Sequence, residues 1–157
     1  MKSSVERVSE ALIRSGLDLL PVKLENSTRT AHEAAAALGV MVDQIAKSII
    51  LEPVAGGQLF LFITAGSNRV NLQQAGALAG SALRQARPDV IRQRTGFAIG
   101  GVAPVGHLEP IPAWLDRRLL DFPAVWAAGG TPMHLFSIAP ALLARIAGAT
   151  IADFVDG

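Results

Sequence analysis

Apolar positions recur along this chain in two rhythms, one helical and one alternating. Val5, Val8 and Leu12 share a helical face. Ser3 and Glu6 ahead of them have capping-box spacing, in which each side chain can satisfy a backbone N–H, and Gly16 suits a left-handed stop. The pattern predicts a first helix starting near Ser3. Leu20, Val22 and Leu24 alternate with Pro21 and Lys23, which predicts a half-buried strand, placed at a sheet edge by its proline. Thr30 and Glu33 repeat the capping-box spacing and open an alanine helix that Gly39 ends; a second short helix is expected from Val42 to Ala46. Ser48–Leu51 and Leu59–Ile63 are β-rich runs joined through Pro53 and Gly56-Gly57, a hairpin with a long turn. Ala65–Arg69 reads as a loop, Asn71 as the cap of a helix to Ala79, and Pro88 as the first turn of a helix to about Arg94. Ala124–Ala127 and Met133–Ile138 predict strands around a Gly129-Gly130-Thr131-Pro132 turn, and Pro140 opens a last helix carrying Leu142, Leu143 and Ile146. Short strands and short helices alternate irregularly. That suits an α+β domain, with a mixed, largely antiparallel sheet flanked by short helices, better than a doubly wound parallel one.

Composition narrows the class. The 157 residues are enough for one domain with a substantial core, and no linker or repeat divides residues 1–157. Half of the residues are apolar and 17% are charged, too apolar a mixture for a disordered chain. Mean hydropathy is +0.38, but no apolar run reaches membrane-spanning length. The N-terminus has no apolar signal-peptide core, so a cytoplasmic location is expected and no membrane partner. A net charge of +1 excludes a strongly basic groove for a long duplex, yet allows a small phosphate contact. Cysteine is absent, which excludes disulfides, thiolate metal sites and a cysteine nucleophile.

Four groups of residues could carry chemistry. Lys47 stands where the expected short helix gives way to a strand; it either reaches a ligand at the sheet end or complements the helix C-terminus. The glycine-rich run from Thr95 to His107 contains Gly100-Gly101 ahead of Pro104. Adjacent glycines let backbone approach a ligand and aim N–H groups at a developing oxyanion, or merely shape a turn. His32, His107 and His134 have no metal-motif spacing, and Ser67 in Gly66-Ser67-Asn68-Arg69 is not in a nucleophile elbow. Arg84, Arg87, Arg92 and Arg94 face either phosphates or solvent. Residue types alone go no further than an α+β domain whose glycine loop binds something.

The order of three segments is more specific. Ala34-Ala35-Ala36-Ala37-Leu38-Gly39-Val40 followed by Gln44-Ile45-Ala46-Lys47-Ser48, then Thr95-Gly96-Phe97 through Gly100-Gly101-Val102-Ala103-Pro104-Val105-Gly106, then Ala128-Gly129-Gly130, resembles the YbaK family of aminoacyl-tRNA deacylases. That family includes the editing domain inserted in bacterial prolyl-tRNA synthetases. The likeness runs from about Val5 to Ile151.

The resemblance implies a mixed sheet curled around the site with helices outside, no metal or other cofactor, and hydrolysis of the ester joining a wrong amino acid to the terminal adenosine of tRNA. Water is then the nucleophile. The implied substrate is a small amino acid on tRNA(Pro), the partners are the acceptor end of mischarged tRNA and prolyl-tRNA synthetase, and the protein acts in trans. Lys47, Gly100, Gly101 and Pro104 carry over as catalytic positions, with Lys47 on the terminal phosphate. His32, Ser67, Asn68, Gly129 and His134 carry over as substrate-binding positions. Phe97 and Thr131-Pro132-Met133 depart from the cysteine-specific members and point away from cysteine as substrate. A catalytically silent tRNA- or nucleotide-binding module on the same fold and a serine or histidine esterase are the competing readings.

Overall fold

Helix caps fall where the local chemistry puts them, whereas strand starts follow their partners. The computed structural model describes all residues from Met1 to Gly157. Helix α1 (Ser4–Arg14) is capped by Ser3, whose Oγ accepts from the Glu6 N–H at 3.1 Å, and it buries Val8 and Leu12. Strand β1 (Val22–Lys23) is short and lies at a sheet edge. Helix α2 (Ala31–Leu38) has the full reciprocal box between Thr30 and Glu33, and Gly39 ends it in the left-handed conformation.

The helix expected from Val42 to Ala46 is only a 3-10 turn, Val42–Gln44. Strand β2 (Ile45–Pro53) begins at once, because Ile45 and Ala46 pair in parallel with Trp126 and Ala127. Lys47 is therefore the third residue of a strand, and no helix end lies beside it in the chain to account for its charge. Strand β3 (Phe60–Ala65) completes the hairpin in antiparallel register from Ala46↔Ala65 to Leu51↔Phe60. Helices α3 (Leu72–Ala79), capped by Asn71, and α4 (Pro88–Thr95) follow as expected. So do strands β6 (Val125–Ala128) and β7 (His134–Ile138) and helix α5 (Pro140–Ala147). Three strands escape the sequence pattern: β4 (Leu83–Gln85), β5 (Ala113–Asp116) and β8 (Ala149–Ala152). Each is held by a distant partner rather than by a hairpin turn.

All eight strands join one open sheet in the order β1-β7-β6-β2-β3-β5-β8, with β4 pairing β2 beside this path. Antiparallel pairings (β1–β7, β2–β3, β2–β4, β6–β7) outnumber the parallel ones (β2–β6, β3–β5, β5–β8). The fold is a single α+β domain. Its largest apolar cluster packs α1, α5 and the glycine-rich run on one sheet face, around Leu12, Ile50, Ile63, Phe97, Phe136 and Leu143. Phe60, Phe62 and Phe154 cluster on the other face, and Ala34, Ile45 and Leu135 form a smaller group under α2.

The sheet has a gap that matters for everything below. One edge of β2 is paired with β3 from Ala46 to Leu51. The opposite edge meets β6 only at Ile45 and Ala46, and β4 only from Leu51 to Pro53. Between them, Lys47, Ser48, Ile49 and Ile50 have no strand neighbour on this edge, and the Ile50 carbonyl takes the Ala86 N–H at 3.1 Å.

Candidate active site

A cavity of about 320 Å³ opens in that gap. Its interior is formed by Ala46, Ile50, Ala86, Ile91 and Val102 from the main core, and Ala34, Ile45 and Leu135 close the α2 side. Thr28, Arg29, Thr30 and Ala31 border it, as do Ile99, Gly100 and Ala128. A second, more polar cleft of about 720 Å³ is lined by His32, Gly66, Ser67, Asn68, Arg69 and Leu72 among others. Lys47, Thr30, Ala31, Ile49 and Gln85 line both. The lysine thus stands where an apolar chamber meets a polar one.

Lys47 is tethered by the loop that follows β3. Its Nζ donates to the Gly66 carbonyl at 3.1 Å. Partial burial lowers its pKa below the ordinary lysine range and the Arg69 charge adds to this, while Asp43 and Asp116 pull the other way.

The same two carboxylates hold the loop. Asp43 Oδ1 accepts from the Ser67 N–H at 2.9 Å and from the Ser67 hydroxyl. Its other oxygen takes Arg118 Nε at 3.1 Å. Burial works to raise the Asp43 pKa, but these hydrogen bonds and the Arg118 charge outweigh it and bring it below the usual value. Asp116, buried in β5, accepts from the Ala65 N–H at 3.0 Å and from Asn68 Nδ2 at 2.8 Å. Gly66 is confined against the turn before β2: an added Cβ would overlap the Val42 carbonyl.

The candidate positions divide in two. Lys47 and Gly100 line the apolar cavity; Lys47, His32, Ser67 and Asn68 line the polar cleft. Ser67 is committed to Asp43, and no histidine bonds to it, which leaves no serine–histidine pair. Gly101, Pro104, Gly129 and His134 line neither cavity. Gly100 has φ +88°, whereas Gly101 has an ordinary φ and its N–H closes a turn on the Ala98 carbonyl. A Cβ on Gly101 would lie 2.7 Å from Thr131 Cα, so this glycine lets two loops pack closely. Pro104 lies by α1 in a separate groove with His107. Gly129 packs on Pro21 and His134. His134 follows strand alternation away from Leu135, which faces the cavity, and its Nδ1 is 2.6 Å from Thr131 Oγ1. Burial, with Lys23 opposite in β1, lowers its pKa.

Four positions that frame the cavities lie outside the residues singled out by the sequence. Asp43 and Asp116 fix the loop, while Arg29 and Arg69 line the two cavities without an acidic partner. By contrast Arg84 and Arg87 are matched by Glu52, and Arg94 by Glu109. No group of three or more His, Asp or Glu side chains stands together to hold a metal, and no helix is long and apolar enough to cross a membrane.

Relatives share this framework. Residues 25–146 match the family described as the aminoacyl-tRNA editing domain. The crystal structure of a protein described as a proposed trans-editing enzyme for prolyl tRNA synthetase superposes with a TM-score of 0.91 at 49% identity, covering 100% of this chain and 99% of that one. Bacillus subtilis (strain 168) YwhH, an uncharacterised protein, is 30% identical over 75% of this chain and 74% of its own length. A proline–tRNA ligase of Shouchella clausii (strain KSM-K16) is 29% identical over 78% of this chain, which spans 21% of that enzyme.

Proposed function

The chain belongs to the aminoacyl-tRNA editing domain family, and on that premise we propose that it acts in trans on tRNA(Pro), removing a wrong small amino acid by attack of water on the aminoacyl ester. At the coarser level the protein is an aminoacyl-tRNA deacylase, a hydrolase whose substrate is charged tRNA. The proline assignment draws on the relatives, one tied by its description to prolyl tRNA synthetase and one a proline–tRNA ligase.

The observation that carries the mechanism is Lys47 at the junction of the two cavities. The apolar chamber takes the amino-acid side chain, and the polar cleft takes the terminal nucleotide. The ester then lies beside Lys47. Its ammonium, with Arg29 and Arg69 on either side, holds the phosphate of the acceptor end as a point charge. Gly100, which lines the chamber with φ +88°, is the position where backbone meets the ester. Water attacks the carbonyl carbon and the bond to the ribose oxygen breaks. One water proton goes to that oxygen, the other is released to solvent, and the amino acid departs as a carboxylate. An aminoacyl ester is already activated, so positioning and charge stabilisation supply most of what is needed, and the neighbouring ribose hydroxyl can relay the proton. The nucleophile in this reading is water: the Ser67 hydroxyl is held by Asp43 and has no histidine partner.

The test is a panel of tRNA(Pro) charged with alanine, serine, cysteine, 2-aminobutyrate, proline and phenylalanine. The reading expects hydrolysis of small mischarged esters, with prolyl- and phenylalanyl-tRNA spared. Comparable rates on phenylalanyl- and alanyl-tRNA would refute a small pocket; a hydrolase active on simple esters without RNA would replace it with the esterase reading.

A further inference from the structure

One guanidinium on α1 ties both ends of the glycine-rich run. Arg7 Nη2 donates to the Gly96 carbonyl at 2.7 Å, and Arg7 Nε donates to the Gly106 carbonyl at 3.1 Å. The same guanidinium lies over the ring of the fully buried Phe97, 5.0 Å from its centroid. No carboxylate pairs with Arg7, so these two carbonyls are its acceptors. Helix α1 itself lies outside residues 25–146, the part of the chain that matches the family.

The run between the two tethers has little else to fix it. The Leu108 N–H closes its base on the Thr95 carbonyl at 3.1 Å, and between Phe97 and Gly106 one backbone–backbone bond remains, from the Gly101 N–H to the Ala98 carbonyl. Gly96, Gly100 and Gly106 all have positive φ, so the chain turns sharply at each tethered end and again at the chamber that Gly100 lines. Glycine backbone is free to move unless something holds it. The planar fork of an arginine suits two fixed carbonyls and stacks on a ring at the same time, whereas a lysine ammonium is a point charge that does neither. We propose that Arg7, which lines neither cavity, is a positioning residue for deacylation: it acts through the glycine-rich run and holds Gly100 where the ester meets backbone. This rests on the deacylase reading above and adds to it a residue that never touches the substrate.

Arg7→Lys keeps the charge and loses the fork. Three measurements on one preparation separate positioning from stability: single-turnover deacylation of alanyl- and seryl-tRNA(Pro) at saturating protein, binding of uncharged tRNA(Pro), and the melting temperature. A misplacement of about 1 Å costs up to about a hundredfold in rate, so the saturated rate per folded molecule should fall about ten- to a hundredfold while the tRNA Kd stays within about twofold. Leu12→Val, fully buried on the same helix, should lower the melting temperature and keep the wild-type rate. Gly100→Ala acts on the same element as Arg7→Lys, so the double variant should be little slower than the slower single one. A wild-type saturated rate in Arg7→Lys, a loss confined to tRNA affinity, or losses that multiply in the double variant would each overturn the proposal. Arg7→Gln, read the same way, replaces Arg7→Lys if that variant folds poorly. Intact esters with the wild-type protein would overturn the deacylase reading itself, and this inference with it.

Discussion

Lys47 is the residue on which sequence and structure converge by different routes. Its place in the chain suggested a helix end; its place in the fold is a strand bordering a sheet gap. Lys47→Ala should lose about ten- to a hundredfold in deacylation while the melting temperature stays near wild type, since a charge-assisted contact contributes roughly 1.5–3 kcal/mol. Wild-type rates in the folded variant would remove Lys47 from the mechanism. His107 offers an independent prediction about stability. Burial lowers its pKa from 6.5 to about 4; the nearby Arg7 charge acts in the same direction and the Ala103 carbonyl offsets part of it. Neither ring nitrogen makes a hydrogen bond of good geometry, and the ring packs edge-on to Phe97. The folded protein therefore prefers neutral imidazole, while the unfolded chain takes up a proton first. This stabilising preference is present above pH 6.5 and is lost as pH falls toward about 4, by roughly 3 kcal/mol in full. Urea unfolding across that range should show the loss in the wild-type protein and a flatter profile in His107→Leu; identical profiles would contradict the assignment.

At the scale of elements, the two loops that frame the cavities depend on contacts between distant parts of the chain. Lys47 and Gly100 could be picked out through short motifs that the resemblance made specific. Asp43 and Asp116 could not, because they matter only once β3 and β5 pair and the turn before β2 meets the loop after β3. Asp43→Ala removes the acceptor for the Ser67 N–H and hydroxyl, so the Gly66 carbonyl loses its fixed position under Lys47. Deacylation should fall roughly tenfold with the fold retained, and Ser67→Ala, which keeps the backbone bond, should lose less. The reverse order of the two variants would argue against the loop as the positioning element. Gly101 was legible as a special glycine, and its packing against Thr131 offers a reason other than catalysis. In Gly101→Ala the new Cβ meets the Thr131 backbone at 2.7 Å. Overpacking of this kind costs about 1–3 kcal/mol, so the melting temperature should drop by roughly 3–10 °C while hydrolysis per folded molecule stays near wild type. A stable but inactive variant would return Gly101 to the catalytic site.

For the whole molecule, the helices were readable because caps and glycine stops are local, as at Thr30–Glu33 and Gly39. The hairpin β2–β3 and the edge placement of β1 were readable for the same reason. Strands β4, β5 and β8 were not, since each is three or four residues long and is defined by a remote partner such as Leu61↔Ala113 or Trp114↔Thr150. The sheet gap, and with it the chamber, follows from where β4 and β6 stop along β2. Net charge is only +1, yet Arg29, Lys47 and Arg69 line the two cavities with no acidic partner. Three cations on a single-stranded acceptor end predict a log–log salt slope for tRNA binding of about −2. A much steeper slope would require a larger basic surface than this fold presents.

In the proposed reaction this chamber and Lys47 together hydrolyse the ester of a small amino acid on tRNA(Pro). Its most direct test is single-turnover deacylation of seryl- and alanyl-tRNA(Pro) beside prolyl-tRNA(Pro), with the wild-type protein and Lys47→Ala on the same preparations. The mischarged esters should be lost rapidly, prolyl-tRNA should stay intact, and the variant should react about ten- to a hundredfold more slowly, at roughly the 1.5–3 kcal/mol of a charge-assisted contact. Stable mischarged esters, or a folded Lys47→Ala as fast as wild type, would contradict it.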